Sequence, residues 1–151
     1  MAVALSVQAH AEEAAYPTNQ CIDSLGFELR LMPIADKVAL SRSDQTAGEM
    51  LELDRAAQPA EQHALELWSK LRQACFDLGA EFRKGLPNAD QAALAGRLFT
   101  LHQNMIGELR EGRITFAEFN RRRIETYGIA TMLEAQMLER TEQTTTAKHE
   151  I

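Results

Sequence analysis

The stretch Leu65-Glu66-Leu67-Trp68-Ser69-Lys70-Leu71-Arg72-Gln73-Ala74-Cys75-Phe76-Asp77-Leu78-Gly79-Ala80-Glu81-Phe82 decides the fold class. Its large apolar residues Leu65, Trp68, Leu71, Cys75, Leu78 and Phe82 recur at steps of 3, 3, 4, 3 and 4. That spacing lays them along one face of an α-helix and does not fit a strand, whose side chains alternate with a period of two. Arg72, Asp77, Glu81 and Arg83 fall elsewhere and read as the solvated surface. Pro59 suits the first turn, because its missing N–H is one of the four donors that a helix start leaves unpaired. Gly85-Leu86-Pro87 stops the helix.

Downstream, Asn88 caps the next long helix, whose stripe is Leu94, Leu98, Leu101, Met105 and Leu109, closed by Gly112. Thr115-Phe116-Ala117-Glu118 then has the form of a capping box. The Thr115 hydroxyl can accept from the Glu118 N–H, and the Glu118 carboxylate can reach back to the Thr115 N–H. Ile114 and Phe119 occupy the two positions of a hydrophobic staple. The helix that follows is expected from Phe116 to about Arg140, with Phe116, Phe119, Tyr127, Ala130, Leu133 and Met137 on one side. Residues 141–151 are polar and Thr-rich and are expected to be disordered.

Upstream of Pro59 the pattern is weaker. A short helix is expected near residues 18–31, ended by Pro33, and another from Asp44 to Arg55 with Ser43 as its cap. Cys21 and Cys75 are the two cysteines of the chain. They follow Val3-Ala4-Leu5-Ser6-Val7-Gln8-Ala9-His10-Ala11, which reads as the end of an export signal: Ala9 and Ala11 are the small residues a signal peptidase accepts. An exported chain meets oxidising conditions, so Cys21 and Cys75 are expected to form a disulfide. The expected architecture is therefore all-α: an antiparallel bundle of three long helices, plus a short helical or irregular N-terminal segment tied on by the disulfide. Residues 1–11 form the signal remnant and residues 12–140 a single helical domain, located in the periplasm or outside the cell.

The net charge of −6 argues against unspecific attraction to nucleic acid or anionic membrane. No stretch approaches the roughly 20 apolar residues that span a bilayer. Cysteine nucleophilic catalysis is disfavoured: His63 lies twelve residues from Cys75 on the same helix, about 18 Å away along the axis. No C-x-x-C, G-x-S-x-G, H-E-x-x-H or Gly-rich phosphate loop occurs. His102 and Met105, at i and i+3, are weak candidates for a soft metal, with Met132 and Met137 as further thioethers. Methionine at helical spacing is more commonly core filler, so no metal and no cofactor is expected. Trp68 reads as a core anchor near the disulfide. Arg121-Arg122-Arg123, with Arg110 and Arg113, forms a basic patch that could dock an acidic partner, local salt bridges being the commoner fate of such a run.

The segment Gly112-Arg113-Ile114-Thr115-Phe116-Ala117-Glu118-Phe119-Asn120-Arg121-Arg122-Arg123 resembles a pattern of small uncharacterised proteobacterial envelope proteins. Leu67-Trp68-Ser69-Lys70-Leu71-Arg72-Gln73-Ala74-Cys75 is similar to their Trp- and Cys-bearing helix. The G-x-I-T-x-x-E-F turn also resembles that of the short C-terminal helical-hairpin module of many bacterial proteins. The resemblance implies an exported helical protein of the envelope or cell exterior, with surface attachment or another interaction role, and brings no catalytic residue. The expected function is thus non-catalytic binding of an envelope or cell-surface protein or polymer, or of a second copy. The alternative is a periplasmic ligand- or metal-binding protein using the His102/Met105 region.

Overall fold

A computed structural model describes residues 16–42, 44 and 46–150, and every regular element among them is helical. In chain order these are α1 (Pro17–Ser24), two 3₁₀ segments (Leu25–Phe27 and Leu29–Ile34), α2 (Gly48–Glu52), α3 (Pro59–Leu78), α4 (Ala80–Lys84), α5 (Ala89–Arg110) and α6 (Phe116–His149). The leader stub 1–11 and the Ser43 cap lie outside the described residues.

α3 is the organising element. It packs against α1, the second 3₁₀ segment and α5, while α6 packs against α5 and α2. It starts at Pro59, as the sequence predicts. Just inside its start, the buried Glu61 carboxylate accepts from the Gln58 N–H (2.8 Å) and pairs with Arg55 (2.7 Å) and Lys37 (3.6 Å). The Arg55 hydrogen bonds lower its pKa to about 2, helped by the Gln58 N–H and by Lys37. Four of the six expected stripe residues face the core: Leu65, Trp68 and Cys75 are buried, and Leu71 packs at the edge.

The last two stripe residues depart from the prediction, because Gly79 interrupts the helix. A Cβ at Gly79 would lie 2.1 Å from Thr18 Oγ1 and 2.6 Å from Tyr16 Cε2, so only glycine lets the N-terminal segment press this closely. Leu78, the last residue before the break, is exposed, and beyond it Phe82 stacks on Tyr16 at 4.9 Å. Arg83 turns back, donating to Phe76 O (2.7 Å) and Tyr16 Oη (2.8 Å). The disulfide joins Cys21 of α1 to Cys75 of α3, with Cα atoms 5.3 Å apart, and Thr18 Oγ1 donates to Cys75 O (2.8 Å) beside it.

The N-terminal segment contributes more core than its sequence pattern indicates. α1 is shorter than the expected 18–31 helix and gives way to 3₁₀ segments. Leu31, Ile34, Val38 and Leu40 are buried and join Leu65, Trp68, Ile106, Leu109, Phe116 and Phe119 in one cluster. The helix expected over 44–55 contracts to Gly48–Glu52.

α5 begins at Asn88, whose side chain accepts from the Asp90 N–H (2.9 Å). It ends before Gly112, whose φ of 74° is the left-handed conformation glycine adopts freely. Its buried face is turned from the expected stripe: Leu101 is exposed, and His102 and Ile106 point inward with Leu94, Met105 and Leu109.

α6 starts at the predicted cap. Thr115 Oγ1 accepts from the Glu118 N–H (3.2 Å), and Ile114 and Phe119 are both buried. The Glu118 carboxylate turns to Arg121 (2.9 Å) and Arg122 (2.8 Å) instead of completing the box. Thr115→Ala should therefore lower stability by about 1 kcal/mol through loss of the single side-chain acceptor. That corresponds to a fall of about 2–4 °C in Tm. An unchanged calorimetric Tm would show that this cap is idle.

The helix then runs to His149, so residues 141–149, expected as a disordered polar tail, are helical. The threonines are accommodated because their hydroxyls donate to carbonyls four residues back: Thr141 to Met137 O (3.0 Å), Thr144 to Arg140 O (2.8 Å), Thr145 to Thr141 O (2.9 Å) and Thr146 to Glu142 O (2.9 Å). Lys148 and His149 in the last turn complement the helix dipole.

Candidate functional site

Three helices bring aromatic and cationic side chains together at one level of the fold. α3 supplies Trp68 and, one turn on, Arg72; α5 supplies Phe99 and His102; α6 supplies Phe119, Arg123 and Tyr127 at successive turns. Trp68 is fully buried, and its ring meets His102 edge-on at 5.6 Å and Phe119 at 6.1 Å. His102 meets Phe119 edge-on at 5.6 Å. The Arg72 guanidinium lies 5.6 Å from the Trp68 ring and 5.7 Å from the Phe99 ring. That of Arg123 lies 4.8 Å from the Tyr127 ring, with Nη1 donating to Thr46 Oγ1 (3.2 Å).

The electrostatics of this junction are unusual. Arg72 and Arg123 are 8% and 7% exposed, and neither has a carboxylate within ion-pair distance among the described residues. Arg72 Nε, Trp68 Nε1, His102 Nδ1 and Gln103 Oε1 are buried without a hydrogen-bond partner. Burial lowers the Arg72 pKa to about 10, with Arg123 adding to the effect. Burial, reinforced by Arg72 and Arg123, holds the His102 pKa well below its ordinary value, so the imidazole is neutral.

The sequence-derived candidates are distributed differently from their order in the chain. His102 and Met105 are both buried on α5, but His102 faces aromatic rings, and no group of three His, Cys, Asp or Glu side chains suited to a metal occurs among the described residues. Met132 is exposed on α6. The arginine run divides. Arg121 and Arg122 pair with Glu118, Arg122 also with Glu108 (3.1 Å), Arg113 with Glu111 (2.6 Å) and Arg110 with Glu66 (4.0 Å). Arg123 turns inward. Arg72, assigned to the surface by its charge, is a correction: it is buried because its stem and flat head pack on Trp68 and Phe99. The signal that identifies both buried cations is their position four residues after a core aromatic, Trp68 for Arg72 and Phe119 for Arg123, which places each on the inward side of its helix.

Comparison with known protein families, with curated proteins and with solved structures finds no match for this chain.

Proposed function

We propose that the chain is an exported, non-catalytic protein, an antiparallel bundle of its three longest helices with the N-terminal segment stapled on, that binds an envelope or cell-surface component, surface attachment included. The observation that carries this reading is the outer part of α6. Ile124, Tyr127, Ile129, Met132 and Leu138 are each 46–55% exposed within fifteen residues, and they fall on several sides of the helix. A helix end that only faces water is polar around its outer surface, whereas this one offers large apolar side chains to a partner. The export-like leader, the disulfide and the envelope-protein resemblance of Gly112–Arg123 support the compartment.

The test is retention of the full chain on envelopes of its own cells. Ile129→Gln, Met132→Gln and Leu138→Gln combined leave the core cluster untouched and remove the exposed apolar groups. The parent should co-sediment with the envelope, and the triple variant should bind at least roughly tenfold more weakly, as expected when apolar anchors are lost. Equal retention of the two proteins, or a parent confined to the cytoplasm with two free thiols, would sink the reading.

A further inference from the structure

We infer that the junction of α3, α5 and α6 is a binding site for a small oxyanion, a carboxylate or phosphate group, gripped by Arg72 and Arg123.

The pattern of arginine pairing carries the inference. Of the arginines that reach the surface, Arg30, Arg42, Arg55, Arg110, Arg113, Arg121 and Arg122 each have a carboxylate partner, Arg83 donates to Phe76 O and Tyr16 Oη, and Arg97 and Arg140 are exposed to water. Arg72 and Arg123, the two buried arginines, have none among the described residues. Folded proteins ordinarily do the reverse, since an exposed cation is satisfied by water and a buried one requires a counter-charge. A fold that desolvates two cations on adjoining helices and leaves both unpaired has a charge deficit that a bound anion would fill.

The geometry also selects the anion class. Trp68, Phe99 and Tyr127 hold the guanidinium groups by their aromatic faces. An aromatic ring offers a guanidinium no carboxylate or carbonyl oxygen, and the planar N–H fork of arginine is the donor arrangement that fits two oxygens of one carboxylate or phosphate. Of the Arg72 donors, none is hydrogen-bonded within the described residues, and Arg123 spends one on Thr46. His102, against Trp68 and Phe119, adds an unpaired ring nitrogen at the same level. Arg123 lies close enough to Arg72 for its charge to add to burial in lowering the Arg72 pKa, and both charges likewise help lower that of His102. Tyr127 belongs both to this site and to the exposed apolar set of α6, but Arg72, Arg123 and His102 belong to the site alone, and Ile129, Met132 and Leu138 to the apolar set alone, so the two readings fail separately.

The experiment uses the full oxidised chain. Thermal unfolding and NMR of the arginine side-chain Nε–H groups are followed during titration with sodium phosphate, sodium acetate or sodium chloride at constant ionic strength. Phosphate, acetate or both should give a saturable rise in Tm of a few degrees beyond chloride, and should shift the Arg72 and Arg123 Nε–H resonances. Response to phosphate alone assigns a phosphate group, and response to acetate alone a carboxylate. Arg72→Met and Arg123→Met should each abolish the response. Arg72→Lys, which keeps the charge and folds with the least disturbance, should weaken it roughly tenfold by removing the fork. Arg30→Met, at an exposed pair with Glu28, should leave it intact. Absence of any response beyond chloride, or an equal loss in Arg30→Met, would overturn the inference.

Discussion

Replacing both cysteines, Cys21→Ser with Cys75→Ser, should lower the unfolding free energy by about 4 kcal/mol. The bond closes a loop across a sequence separation of 54, and a loop of that size restricts the unfolded chain by about that amount in the chain-entropy account. Domains of this kind are stable by only about 5–15 kcal/mol, so the loss is a large share of the total. It corresponds to a fall of about 10 °C in Tm. The place where the chain loosens is equally specific. Tyr16 to Gly26 should become the more protease-sensitive part, because the bond is its covalent tie to α3 and without it only Thr18, Ile22 and Leu25 are buried, helped by the Tyr16 bond to Arg83 of α4 and the Asp23–Arg42 pair. Leu31 to Leu40 should stay protected, because Leu31, Ile34, Val38 and Leu40 are buried under α3 and the Lys37 carbonyl is bound by Asn120. Urea melts and mapped limited proteolysis of the oxidised parent and the double variant provide the check. Identical midpoints would show that the bond is idle, and first cuts within residues 31–40 would show that this segment is not core.

That outcome would narrow the expectation of an N-terminal segment tied on by the disulfide, since the part from Leu31 onward would hold without the bond. The discrepancy has a physical origin. A scan for the 3.6-residue period finds α3, α5 and α6 because each carries a long apolar stripe and a readable start at Pro59, Asn88 or Thr115. It overlooks Leu29–Ile34, where a 3₁₀ backbone with three residues per turn aligns Leu31 with Ile34 and tolerates Pro33. The end of α6 was illegible for a different reason. Threonine has poor helix propensity, but hydroxyl bonds to the preceding turn satisfy it locally, and propensity alone does not register them.

The candidate site was less legible than the fold. Arg121, Arg122 and Arg123 are adjacent in the chain and so read as one patch, yet successive helical residues point about 100° apart. One neighbour faces solvent while the next faces the core, and the structure separates Arg121 from Arg123 in this way. Charge likewise placed Arg72 outside, although its spacing from Trp68 placed it inside. Where charge and periodicity disagree within one helix, the disagreement itself marks the unusual position.

Asn120→Ala should cost about 3 kcal/mol, and Asn120→Asp more at neutral pH. Asn120 is fully buried on α6, and its Nδ2 group donates to Lys37 O (2.9 Å) and Met50 O (3.1 Å), joining the turn at Lys37 and helix α2 to α6. The backbone continues this clamp, since the Phe116 and Ala117 N–H groups donate to Arg55 O (3.1 Å) and Leu53 O (2.9 Å). Truncation to alanine removes both side-chain bonds, worth about 1 kcal/mol each, and leaves a small void and two unpaired acceptors. Aspartate preserves the volume but sets a carboxylate against two carbonyl oxygens. The charged form is repelled and desolvated, so the folded-state pKa of the new carboxyl rises above its unfolded value of about 4. The folded variant then holds more protons than the unfolded one. Its stability relative to the parent should therefore be best near pH 4 and fall as pH rises toward 7. Urea unfolding of parent, Asn120→Ala and Asn120→Asp at both pH values tests the argument. It fails if alanine lies within about 0.5 kcal/mol of the parent, the range of a neutral surface change, or if the aspartate variant tracks the parent across pH.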